Sequence, residues 1–184
     1  MRQSIQKITL VGLFTALVFV GTMIKIDIPI AGGGSAMVHL GNAVCIICGI
    51  FLGPIYGSLA AGMGSFLFDL FSPIFITSAP FSFIFKFCLA YVSAKIYSTS
   101  KFKFMPKTIF SGIMGCLVYI FLHTSKLFIY NVYFLKLPLN IVYLIITKNL
   151  VVSLLNAFVS IFISVVLLKS LKDIGTIKIG NLYW

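Results

Sequence analysis

Carboxylates are nearly missing from this chain: its 184 residues contain three acidic side chains, Asp27, Asp69 and Asp173, and no glutamate. They lie too far apart to suggest a two-metal acid site, and no acid falls beside a base as general acid–base chemistry requires. There is no G-x-x-x-x-G-K-[ST] phosphate loop, so the chain is not expected to hydrolyse ATP itself, and HExxH and GxSxG are absent too. Cysteine is scarce, at 45, 48, 88 and 116, always inside apolar runs. Cys45 and Cys48 form a CxxC without a second pair, which argues against zinc or redox chemistry and for reduced packing residues. No metal and no cofactor is expected.

Charge of any sign is rare, 9% against 60% hydrophobic side chains, with a mean hydropathy of +1.14. Such a chain cannot cover itself with a solvated surface, and its apolar runs are far longer than the alternating strands of about 10 residues that build a membrane barrel. The reading is a single integral membrane domain over 1–184, all-α. At about 20 residues per crossing there is room for six transmembrane helices. They are expected near 5–24, 39–52, 54–71, 81–97, 108–130 and 139–168. The first has no A-x-A-like cleavage site after it and reads as a membrane helix, not a signal peptide.

What charge there is, is positive: 14 Lys and Arg, for a net +11. With six spans, one side collects Arg2, Lys7, Lys95, Lys101, Lys103, Lys107, Lys169, Lys172 and Lys178, the other Lys25 and Lys136. Lys and Arg concentrate in cytoplasmic loops, so both termini should be cytoplasmic in a multi-pass protein of a prokaryotic plasma membrane. Topology thus accounts for the basic balance without nucleic acid, and the basic rim suits anionic membrane lipid.

The densest signals lie between Gly32 and Asp69. Lys25–Val38 reads as a loop in which Pro29 and the triple glycine Gly32, Gly33 and Gly34 forbid a continued helix. His39 and Asn42 then open one apolar segment, Gly53-Pro54 turns the chain, and the next segment carries Asp69 to its far end. Small residues at Gly12 and Ala16, and at Gly57, Ala61 and Ser65, make faces on which helices can approach closely. An ionisable group inside a bilayer costs about 2.5 to 3.5 kcal/mol and needs a partner, a cavity or a route to the surface. Topology leaves over Asp69, Lys86, Lys126 and Lys148 with His39, Asn42, His123, Asn140 and Asn149, and of these His39, Asn42, Asp69, Lys86, Lys126, Lys148 and Asn149 form the candidate binding site. Plainer readings stand beside this one: Lys86 bridges to Asp69 as a structural pair, and Lys126 snorkels from the outer end of its helix. Lys148, deepest in its span, is the hardest to dismiss. Tyr119, Tyr130, Tyr133 and Tyr143 belong to an interfacial belt or stack on a flat ligand.

Three stretches, LVGLFTALVFVG, VHLGNAVCIICGIFLGPIYGSLAAGMGSFLFDLFSP and APFSFIFK, resemble a known family. It is the substrate-binding S component of energy-coupling-factor (ECF) vitamin transporters. The likeness covers roughly the first half of the chain and is most similar to the riboflavin-like branch assigned to hydroxymethylpyrimidine or pyridoxine. It implies high-affinity capture of a vitamin outside the cell by a non-enzymatic subunit. Its partners would be a transmembrane coupling subunit and two ATPase subunits, and the loaded protein would topple in the membrane. Gly12 and Ala16 stand where the family has an A-x-x-x-A contact to the coupling subunit, and Gly32, Gly33 and Gly34 fall in the loop that closes over the vitamin. A carboxylated vitamin such as pantothenate or niacin, or riboflavin itself, stays open beside the pyrimidine and pyridine candidates. So does a different class, a structural or assembly subunit of a membrane complex whose lysines pair with a partner's acids.

Overall fold

Long apolar runs dictate helices here because a backbone surrounded by hydrocarbon must satisfy its own hydrogen bonds. The computed structural model describes residues 2–30 and 34–173. Six α-helices follow one another: α1 (Arg2–Met23), α2 (Gly41–Leu52), α3 (Pro54–Leu70), α4 (Ala79–Thr99), α5 (Phe104–Ile129) and α6 (Leu139–Asp173). Four stretches, Ile5–Met23, Ile76–Thr99, Phe104–Phe134 and Leu139–Asp173, are long and apolar enough to cross a membrane. α4 and α6 run past the ends marked by hydropathy, since the Lys, Ser and Thr at their ends continue a helix once it leaves the apolar layer.

α2 is the centre of the bundle. Nearly all of its 12 residues are buried, as expected for a helix that is hydrophobic all round, and it packs against α1, α3, α4 and α6. At 1.5 Å per residue it rises only about 18 Å, short of a hydrocarbon core of about 30 Å. A β-hairpin precedes α2. Residues read from the sequence as a loop instead form strands β1 (Lys25–Ile30) and β2 (Gly34–His39), antiparallel, with Lys25 opposite His39 and Ile30 opposite Gly34. The Leu40 N–H donates to the Ile24 carbonyl at 3.2 Å and closes the neck. Pairing satisfies backbone groups that a bare loop would leave open. Gly32 and Gly33 lie outside the described residues; Gly34 opens β2.

Apolar side chains gain little by leaving lipid for protein, so helix contacts in a bilayer depend on close approach at small residues. The stripe on α3 does this: Gly57, Ala60, Ala61, Gly64 and Ser65 are all buried. A methyl at Gly64 would meet the Thr15 carbonyl and the Val18 side chain of α1, and one at Gly57 would meet the Cys48 carbonyl of α2. Between the two helices Gly53, with φ 85°, occupies a left-handed conformation that favours glycine, and Pro54 starts α3 at the position where a missing N–H costs nothing.

Candidate functional site

The hairpin, the turn between α3 and α4, and the end of α5 come together at one end of the bundle around a cavity of about 900 Å³. α5 passes into a π-helical turn at Tyr130–Phe134, and this wider turn brings Tyr130, Asn131 and Phe134 to the wall. From α6 the wall takes Ile145, Asn149, Val152, Ser153 and Asn156, residues spaced for a single helix face.

Lys86 is the central polar group of the cavity. It is 5% exposed and lines the cavity from the second turn of α4. Its ammonium donates to Asn42 Oδ1 and stands 4.2 Å from the centre of the Tyr119 ring. A cation over an aromatic face is attracted by the ring quadrupole, the more strongly where water is excluded. Asn42, 1% exposed, lies behind Lys86 and does not itself reach the cavity wall, so it positions the lysine. Asp69, 4% exposed, is on the wall. The structural bridge between Asp69 and Lys86 is absent: among the described residues the one ion pair is Lys25–Asp27, at 2.9 Å, on the hairpin. The neutral Asn42 amide holds Lys86 instead, which leaves the Asp69 carboxyl free of an ion-pair partner.

Lys126 does not simply reach for the surface. It is half-buried, donates to Ser78 Oγ at 2.8 Å and lies 5.2 Å from the centre of the Phe81 ring. His123, from the same face of α5, stacks on Tyr119 with centroids 5.8 Å apart and meets Phe85 edge-on. Tyr119 and His123 thus form a flat stacked pair beside the buried ammonium. His39 ends β2 and is buried on the cavity wall. Its ring accepts a hydrogen bond at Nδ1 from the Gly41 N–H at 3.0 Å.

On α6 the two neighbouring residues expected at the site are placed on different faces. Asn149 reaches the cavity, its Nδ2 donating to the Ile145 carbonyl at 3.0 Å, but Lys148 does not. One residue is 100° of helix, and Lys148 falls on the exposed face of α6, outside the cavity lining. Lys148→Ala should therefore leave ligand affinity within about twofold of wild type, the scale of an ordinary surface change; a titration showing a larger loss would return it to the site. The residue missed was Asn156, 3% exposed, whose Oδ1 accepts from the His39 N–H at 3.3 Å. It lies seven residues after Asn149, on the same helix face, and that spacing of two asparagines within an apolar run was the available signal.

The arrangement offers two ammonium donors, one carboxyl, asparagine amides and a wall of aromatic rings, suited to a flat ring edged with hydrogen-bonding atoms. Among the described residues no group of histidine, cysteine or acid is placed to hold a metal ion. A family model described as ECF-type riboflavin transporter, S component, matches residues 2–173. A solved structure, described as "Structure and mechanism of the S component of a bacterial ECF transporter", superposes with a TM-score of 0.62 at 18% identity. That match covers 95% of this chain and 99% of the other. No curated protein sequence gives a significant match.

Proposed function

The chain belongs to the family of ECF-type riboflavin transporter S components, and from that premise we propose that it captures a flat heteroaromatic vitamin outside the cell, in the cavity beneath the hairpin. S components are substrate-binding membrane subunits, not enzymes, and take up vitamins together with a transmembrane coupling subunit and ATPases. For this chain the proposed partners are one such coupling subunit and two ATPases. Its orientation has six crossings in the plasma membrane, both termini cytoplasmic and the cavity open to the outside, which the distribution of lysines supports.

The observation that carries the reading is the placement of Asp69, Lys86 and Lys126, from three successive helices, on the wall of one aromatic-lined cavity. Riboflavin is the proposed substrate. About 900 Å³ lies toward the top of the range of roughly 300–1,000 Å³ for small-molecule sites. It accommodates a three-ring system with a sugar-alcohol chain and is far more than a single pyrimidine or pyridine ring fills. The ring carbonyls of a flavin accept from lysines, and its imide N–H suits the Asp69 carboxylate. The residues assigned to binding are His39, Asp69, Lys86, Lys126, Asn149 and Asn156, with Asn42 acting through Lys86.

Extraction and identification of the small molecule that co-purifies in mild detergent tests this, with riboflavin the expected result. Hydroxymethylpyrimidine or pyridoxine, to which the motif pattern points, or a carboxylated vitamin suited to two lysines, would replace the substrate assignment. An empty protein that also recovers no ATPase would overturn the reading in favour of a structural subunit.

Gly12 and Ala16 lie on the exposed face of α1, and a methyl added at Gly12 would meet nothing within 4 Å. Among the described residues no helix closes this face, which supports a contact with the coupling subunit. Gly12→Leu should abolish uptake in cells expressing the whole transporter while leaving vitamin binding to the purified subunit unchanged. Normal uptake would reject the assignment.

A further inference from the structure

β2 is fastened to the helical body at its last residue. The His39 backbone N–H donates to Asn156 Oδ1 at 3.3 Å, and among the described residues this is the one hydrogen bond joining the hairpin to α6. Eight residues further along α6, on the same face, Ser164 Oγ donates to the Ala43 carbonyl at 3.1 Å and pins the first turn of α2. Asn156 therefore stands where the rigid contact between α6 and α2 gives way to the hairpin. On the opposite side the hairpin is held more softly, by the Lys25 ammonium 5.8 Å from the Phe68 ring centre and 5.6 Å from that of Phe75.

Asn156 is also a wall residue of the cavity. Its Oδ1 is engaged by the hairpin, while its Nδ2 has no hydrogen-bond partner among the described residues. The residue is only 3% exposed, and the space open to its amide is the cavity, where a ligand acceptor would satisfy the donor. The two ends of an asparagine amide have almost the same shape but opposite hydrogen-bonding character. With Oδ1 toward His39 the N–H is satisfied; with the amide turned over, two donors face each other and the fastening is lost.

We propose that Asn156 couples occupancy of the cavity to the position of β2. An acceptor atom of the ligand, taking a hydrogen bond from Nδ2, holds the amide in the one orientation in which Oδ1 grips the His39 N–H. Ligand and hairpin thereby stabilise each other through a single side chain, and the coupling is reciprocal, as linkage requires. Asn156 is a positioning residue for the hairpin as well as a donor to the ligand. This inference rests on the proposal that the ligand occupies this cavity.

Hydrogen exchange at the backbone amides of residues 37–40 tests it. The full-length protein is compared in detergent with and without saturating riboflavin, as wild type, Asn156→Leu and Asn156→Asp, and the amides of α2 report whether each variant is folded. In wild type, riboflavin should slow exchange at these four amides. Asn156→Leu should exchange about tenfold faster without ligand, the effect of losing one hydrogen bond, and riboflavin should restore little of the protection. Asn156→Asp keeps an acceptor for the His39 N–H but loses the donor, so its ligand-free exchange should resemble wild type while riboflavin adds no protection. Unchanged ligand-free exchange in Asn156→Leu overturns the fastening. Binding of riboflavin to both variants with wild-type protection overturns the coupling. If wild type fails to quench flavin fluorescence, the substrate assignment and the coupling to riboflavin fall together, and the ligand-free comparison still decides the fastening.

Discussion

Lys86→Met is expected to weaken riboflavin binding by roughly 10- to 100-fold while leaving the protein folded. A hydrogen bond to a charged group contributes about 1.5–3 kcal/mol, and each 1.4 kcal/mol is tenfold in affinity. Lys86 is 5% exposed and its ammonium is aimed by Asn42 and the Tyr119 ring, so no other lysine can take over its position. Methionine fills a similar volume, and a buried ammonium held by a neutral amide stabilises a fold little once its desolvation is counted. Asn42, 1% exposed, is left with an unpaired amide oxygen at a cost of about 1–3 kcal/mol, so the melting temperature should fall by a few degrees while the protein stays folded. Flavin fluorescence quenching on the purified subunit, with a thermal melt alongside, separates the two effects. Unchanged affinity with a lowered melting temperature would make Lys86 a structural residue and remove the centre of the proposed site.

Gly57→Leu should do the opposite, destroying the fold before any question of binding arises. A side chain at Gly57 would enter the space of the Cys48 carbonyl and the Gly49 Cα. α2 cannot retreat, because a methyl at Gly49 would in turn meet the Ala90 carbonyl of α4. Three helices are therefore in backbone contact through two glycines. Overpacking a tight core costs about 1–3 kcal/mol and more where backbone must move, so a loss of about 3 kcal/mol or more is expected. Thermal unfolding in detergent, or the yield of monodisperse protein, gives the readout. Gly12→Leu, on an open face, is the control and should melt like wild type. Equal melting of the two variants would contradict the packing described here.

These two glycines show where sequence reading reaches its limit. Both sit in apolar runs with a small residue four positions on, and both suggested close helix contact. Only the assembled bundle separates them, since Gly57 meets the backbone of α2 while Gly12 meets nothing among the described residues. The lysines divide in the same way. Lys86, Lys126 and Lys148 all break apolar helices, and depth in the span singled out Lys148. Depth along a helix says nothing about direction around it, and the 100° between Lys148 and Asn149 places one outside and the other on the cavity wall.

The membrane class, the helical stretches, the uneven distribution of lysines and the family likeness were properties of the sequence alone, because each depends on local composition or on a contiguous motif. Tertiary structure decided which polar groups meet. It paired Lys86 with Asn42 and not Asp69, turned the expected loop into a hairpin, and placed Asn156 beneath His39 across 117 positions of sequence. Such contacts depend on the rotation of each helix about its axis. That rotation is set by the fit of small residues between neighbouring helices, and no single segment carries it.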